Sequence, residues 1–196
     1  MLKLQDVDVE AFNSYIYWAC KDELPFDGRA ECDGYMDAGL AFPRLKFLSY
    51  MWLIGDRLQD SRLRNTIMDE MIDVIEWLDP LSADFTAAFP PDLITAIWAN
   101  STQGCAIRRL VIDYYAYMVT PEIMEPHWDN SHPEFLKDLT MRSLKFSQKE
   151  GQNIHTALRE RCFYHEHDLA DVECEWAKCS WESVMSTMTP EQQQDA

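Results

Sequence analysis

The sequence predicts an all-α protein, a bundle of helices around one apolar core. Three observations lead there. Apolar residues return at helical spacing in one segment after another along the 196 residues. Between those segments stand Pro, Gly and capping side chains, where helices start and stop. Apolar residues make up 47% of the chain, with seven Trp, nine Phe and eight Tyr, which suffices to bury a core and is not the composition of a disordered chain.

The first periodic segment is 8–20, where Phe12, Tyr15, Ile16 and Ala19 form the stripe and Trp18 adds bulk beside it. Asp8 is placed to cap it, with Glu10 in the positive first turn. Residues 21–41 carry Pro25, Gly28, Gly34 and Gly39 and read as a long loop. Residues 42–59 are apolar around nearly the whole circumference, which predicts a central, buried helix with Pro43 in its first turn. A run this apolar also suits a buried strand, and its length decides for helix.

Asp60 and Ser61 cap the next helix, whose stripe is Leu63, Ile67, Met71, Ile75 and Leu78 and which Pro80 ends. The short link makes these two helices antiparallel neighbours. Pro90-Pro91 opens a short helix with Leu93, Ile94, Ile97 and Trp98, and residues 100–104 form a turn. Residues 105–118 resume with Ile107, Leu110, Val111, Tyr114, Tyr115 and Met118 on one side. Thr120-Pro121 starts a further turn, stopped by Pro126. Ser131-His132-Pro133-Glu134 is a capping-box pattern before a helix carrying Phe135, Leu136 and Leu139 and, more loosely, Phe146. Residues 147–161 are polar, a short helix or a linker, and the last eight residues have a disordered composition.

The formal net charge is −17, from 34 acidic and 17 basic side chains. Nucleic-acid binding draws on Lys and Arg neutralising phosphates, so nucleic acid is excluded as a partner, and anionic membrane surfaces are disfavoured for the same reason. The N-terminal residues have no apolar stretch of the signal-peptide kind, and no window approaches a membrane span. An intracellular protein, cytoplasmic or nuclear, with reduced cysteines is expected.

The sharpest cluster is Cys162, His165 and His167, followed by Cys174 and Cys179. Thiolates and imidazoles are zinc ligands, and a metal here would staple a tail that lacks a core of its own. The candidate ligands are Cys162, His165, His167 and Cys174. The alternative is a polar tail with ordinary Cys and His. His165-Glu166-His167 is not the His-Glu-x-x-His of metalloproteases, because positions two apart face different sides of a helix. No phosphate-cradling loop and no nucleophile elbow is present. Cys105, at a helix start, reads as a small packing residue rather than a nucleophile. Arg108 and Arg109 are the only adjacent basic pair. They either hold a carboxylate, with Asp113 the nearest candidate, or touch an acidic partner.

Four blocks occur in an order that resembles BTB/POZ proteins of the fungal type. Leu4-Gln5-Asp6-Val7-Asp8-Val9-Glu10-Ala11-Phe12, followed by Tyr15 and Trp18, is similar to the family's segment ending in Phe, Tyr and Trp. Met51-Trp52-Leu53-Ile54-Gly55-Asp56-Arg57-Leu58 resembles its next helix, and Asn65-Thr66-Ile67-Met68-Asp69 the one after. The stretch from Asn100 through Arg108-Arg109 to Asp113 resembles one downstream of the domain. The departures are Val9-Glu10 where the family has Pro-Glu, and Ala19-Cys20-Lys21 where it has Tyr-Thr-Gly.

The resemblance implies that residues 1–80 are the C-terminal helices of a BTB/POZ-like domain lacking its N-terminal half. Residues 81–146 are then a helical extension and 147–196 a largely flexible polar tail. It implies a non-catalytic adaptor that binds protein partners, with no cofactor. Self-association is a further expectation if aromatics left by the missing half are exposed. The alternatives are a small zinc-stabilised helical protein using its tail, or an enzyme with a cleft between helices.

Overall fold

The computed structural model describes residues 9–25, 38–78, 88–119, 124–146, 158 and 161–166. Outside them lie the predicted loop around Gly28 and Gly34, Pro80, Thr120-Pro121, the polar stretch 147–157 and everything after Glu166. The described residues form six α-helices and no strand, so the fold is all-α. The helices are α1 (Val9–Lys21), α2 (Ala38–Leu58), α3 (Ser61–Glu76), α4 (Pro91–Asn100), α5 (Ala106–Met118) and α6 (Pro133–Phe146). Short 3-10 turns occupy Glu125–Asn130 and Arg161–Tyr164. None of these helices is long and apolar enough to cross a membrane.

α2 is the hub, packed against α1, α3 and α4. Leu45, Leu48, Met51, Trp52 and Ile54 are buried on its several sides, as its circumferential apolarity predicts. It starts earlier than expected, so Pro43 lies inside the helix rather than in its first turn. α3 turns back along α2 after Gln59-Asp60. Asp60 caps it, its carboxylate accepting from the Leu63 amide at 2.9 Å. Arg44 to Glu70 at 2.8 Å and Arg64 to Asp56 at 2.8 Å tie the two helices at both ends of the contact. The stripe of Leu63, Ile67, Met71, Ile75 and Leu78 is buried along its length.

Gly55 sits where α3 packs close against α2. A Cβ there would stand 3.0 Å from Arg64 Cγ and 3.3 Å from Leu63 Cδ2. Gly104 serves the turn before α5, where its φ of +77° is one that L side chains rarely adopt.

A second part of the core joins α4, α5 and α6 through aromatic rings. Trp98, Tyr115 and Phe135 meet edge to face at 5.1 and 5.0 Å, and Phe89 meets Tyr114 at 5.2 Å. The Tyr115 hydroxyl donates to the Phe89 carbonyl at 2.7 Å, which satisfies the one polar atom its ring carries inward.

α1 departs from its predicted orientation. Ala11 and Trp18 are its buried residues, and the Arg62 guanidinium lies 5.8 Å from the Trp18 ring. Trp18 is the largest side chain on the helix and takes the inward position, which turns Ile16 and Ala19 outward. Arg62 also pairs with Asp22, fastening the end of α1 beside the start of α3.

Candidate functional site

Among the described residues two places go beyond ordinary packing: the outward face of α1, and the groove that receives residues 161–166. On α1, Val9, Asn13, Ile16, Tyr17 and Cys20 are all exposed. Their spacing of four, three, one and three residues puts them on one side of the helix. These five residues are uncharged, with the exposed Glu10 and Lys21 flanking Tyr17 along the helix. Ile16 is 47% exposed and Tyr17 42%, on a helix whose other side is in the core.

The groove lies against α3 and α5, with α6 supplying one arginine. At its floor Asp113, 1% exposed, accepts two bonds from Arg142, at 2.5 and 3.0 Å, and a third from the Tyr164 hydroxyl at 2.7 Å. A buried carboxylate held by a bidentate guanidinium and a phenol has its charge met on both oxygens. Burial pushes the Tyr164 hydroxyl far above the ordinary tyrosine range, and the Asp113 charge and hydrogen bond push the same way. Burial and Asp113 also raise Tyr117 nearby.

Along α3, Arg161 bonds Asp73 at 2.5 Å and Glu76 at 2.9 Å, with Asp69 at 3.8 Å. Burial alone would lower the Arg161 value, but the Asp73 hydrogen bond and the charges of Asp73, Glu76 and Asp69 outweigh it and raise it. His165 Nε2 stands 3.1 Å from Asp69 Oδ1. The Asn65 side-chain amide pairs with both backbone groups of Glu166, accepting from its N–H at 2.9 Å and donating to its carbonyl at 3.3 Å. Arg64 meets the Glu166 carboxylate.

The two adjacent arginines do different things. Arg108 is 4% exposed and turned inward. Its guanidinium closes the end of α4, donating to the Trp98 and Ser101 carbonyls, each at 2.6 Å, and to Ser101 Oγ at 3.0 Å. It also lies 5.2 Å from the Trp98 ring. The cause is local: the last carbonyls of α4 have no partner within the helix, and a buried guanidinium at a helix C-terminus supplies both donors and charge. Arg109 bonds the Gly104 carbonyl and covers the Phe163 ring at 5.1 Å. Neither holds Asp113, because that carboxylate points toward α6, where Arg142 reaches it.

Of the four residues considered for zinc, Cys162 and His165 are described, and His167 and Cys174 lie outside the described residues. His165 directs one ring nitrogen at Asp69. Among the described residues no group of three or more His, Cys, Asp or Glu side chains is placed to hold a metal. Burial raises the Cys105 thiol, and the Arg108 backbone bond, which lowers it, is the smaller effect. That is the environment of a packed cysteine, not of a thiolate nucleophile.

Sequence reasoning missed Arg142, Arg161 and Tyr164. The one available signal was Phe163-Tyr164 beside Arg161, an aromatic pair in an otherwise polar stretch. Comparison of the chain with family models, with curated proteins and with solved structures returned no match.

Proposed function

We propose that the chain is a non-catalytic protein-interaction module, an adaptor of the BTB/POZ-like kind, that engages its partner through the outward face of α1. The observation that carries this reading is the exposed, uncharged row of Val9, Ile16, Tyr17 and Cys20 on a helix anchored from behind by Trp18. Apolar residues at i, i+7 and i+8 share one side of a helix, and an amphipathic helix enters an apolar groove on another protein by such a side. The ionisable groups of the second region support it from the other side. Asp113 pairs with Arg142 and Tyr164, Arg161 with Asp69, Asp73 and Glu76, and Arg108 with Ser101, Glu134 and the carbonyls at the end of α4.

The partner's chemistry follows from charge. The chain carries −17, and Glu10, Asp22 and Glu23 lie exposed on and just beyond α1. A second copy would bring the same negative field, whereas a partner with an apolar groove and a basic rim is attracted. A photo-crosslinking side chain at position 17, in the cell that makes the protein, tests this. The expected product is one discrete adduct to a different, basic-rimmed protein, lost on Ile16→Asp and unchanged by Met141→Asp. An adduct between two copies of the chain would replace the heterologous partner with a homodimer. Adducts indifferent to both substitutions would contradict the assignment of the face.

A further inference from the structure

Leu158 and residues 161–166 are held in the way a bound peptide is held. Leu158 and Tyr164 are the fully buried apolar side chains among them, and the remaining grip on the bundle is polar and long-range. Arg161 enters the carboxylates of Asp69, Asp73 and Glu76. The Tyr164 hydroxyl reaches Asp113 at the bottom of its pocket. Asn65 reads the main chain at Glu166 through both its N–H and its carbonyl, and Arg64 takes the Glu166 carboxylate. The partners of Glu166 and Arg161 lie 85 to 102 residues away in sequence.

We propose that the groove of α3, α5 and α6 is a peptide-recognition site, distinct from the α1 face, which residues 161–166 fill in cis. Its ligand class is a segment with Arg three residues before a Tyr and an acidic residue two after it. A partner segment of that pattern displaces the chain's own. Each position has a reason. The acidic row on α3 selects a guanidinium. The closed pocket ending on Asp113 selects a phenol over a phenyl ring, because a phenyl ring leaves a lone pair of the carboxylate unmet. Asn65 holds the backbone whatever the side chain, and Arg64 favours the acid. The cis segment sets the threshold, because a tethered ligand competes at an effective concentration on the order of 1 mM.

The test uses the full chain and a labelled nine-residue peptide, Leu-Arg-Glu-Arg-Cys-Phe-Tyr-His-Glu, copied from residues 158–166. Two variants vacate the groove: the double substitution Arg161→Ala with Tyr164→Ala, and Arg161→Glu alone, which leaves the pocket side chain in place. Both are expected to bind the peptide, and the unaltered chain about a hundredfold more weakly for an intrinsic affinity of about 10 μM. Peptides carrying Glu for the second Arg, or Ala for Tyr, are expected to bind none of the three. Vacated chains that keep a cooperative helical melt yet ignore the peptide would overturn the proposal. Loss of the cooperative melt in both variants would overturn it too, since the segment would then be an indispensable part of the core.

Discussion

Arg108 and its neighbour show how far one residue's job departs from the next one's. Arg108 → Ala would strip the Trp98 and Ser101 carbonyls of their donor inside the bundle. Orphaned buried acceptors cost about 1–3 kcal/mol each, so a loss of about 3 kcal/mol is expected in chemical denaturation. Arg108→Lys recovers little of it, because one ammonium cannot meet two carbonyls and a hydroxyl with the guanidinium's fork.

Tyr164 gives a pH signature. Its hydroxyl is raised above the ordinary 10.0, so the folded chain keeps that proton where the unfolded chain releases it. The stabilisation is therefore complete below pH 10 and is lost as pH rises beyond it. Tyr164→Phe is expected to cost about 1–2 kcal/mol at neutral pH through the bond to Asp113. The gap between the two proteins then narrows by about 1 kcal/mol per pH unit above pH 10. A gap that widens there would place the tyrosine's proton elsewhere. Asp113 was legible as a carboxylate awaiting an arginine, but the sequence offered Arg109 at i+4. The true partner, Arg142, lies 29 residues on, where only the packing of α6 brings it near.

At the scale of elements, period and punctuation were enough for most of the fold. α3 keeps every residue of its predicted stripe inside, because five apolar residues at helical steps leave one possible buried side. α1 was ambiguous, since Ile16 and Trp18 lie on different sides of one helix and only one side faces α2. The bulk of Trp18 decided it, and the displaced Ile16 is what made the outer face apolar.

The seat of residues 161–166 was not legible beyond the aromatic pair Phe163-Tyr164. Their anchors are polar groups on α3 and α5, and no local period records contacts made across the chain. The α2–α3 contact yields its own expectation. Gly→Ala inside a helix ordinarily gains about 0.5–1 kcal/mol, but at Gly55 the new methyl meets an Arg64 stem pinned by Asp56, Glu166 and the Trp52 ring. Gly55→Ala is expected to lower stability by about 1 kcal/mol, read from the denaturation midpoint. A gain would mean that Arg64 is free to move.

Over the whole molecule, charge and apolar surface are divided between regions. The strong negative charge discourages contact with phosphate polymers and with further copies, and the face of α1 proposed for a partner is exposed and apolar at Val9, Ile16 and Tyr17. The α1 face and the tail-filled groove would let such a module hold one protein while another competes for the groove. The most direct measurement of the central claim takes the protein captured from position 17 and titrates it against purified chains. The account expects Ile16→Asp with Tyr17→Asp to weaken binding at least a hundredfold, the thermal midpoint staying within a few degrees of the parent, and Cys20 to lose its thiol reactivity in the parent complex. Affinity within twofold of the parent, with Cys20 still reactive in the complex, would contradict it.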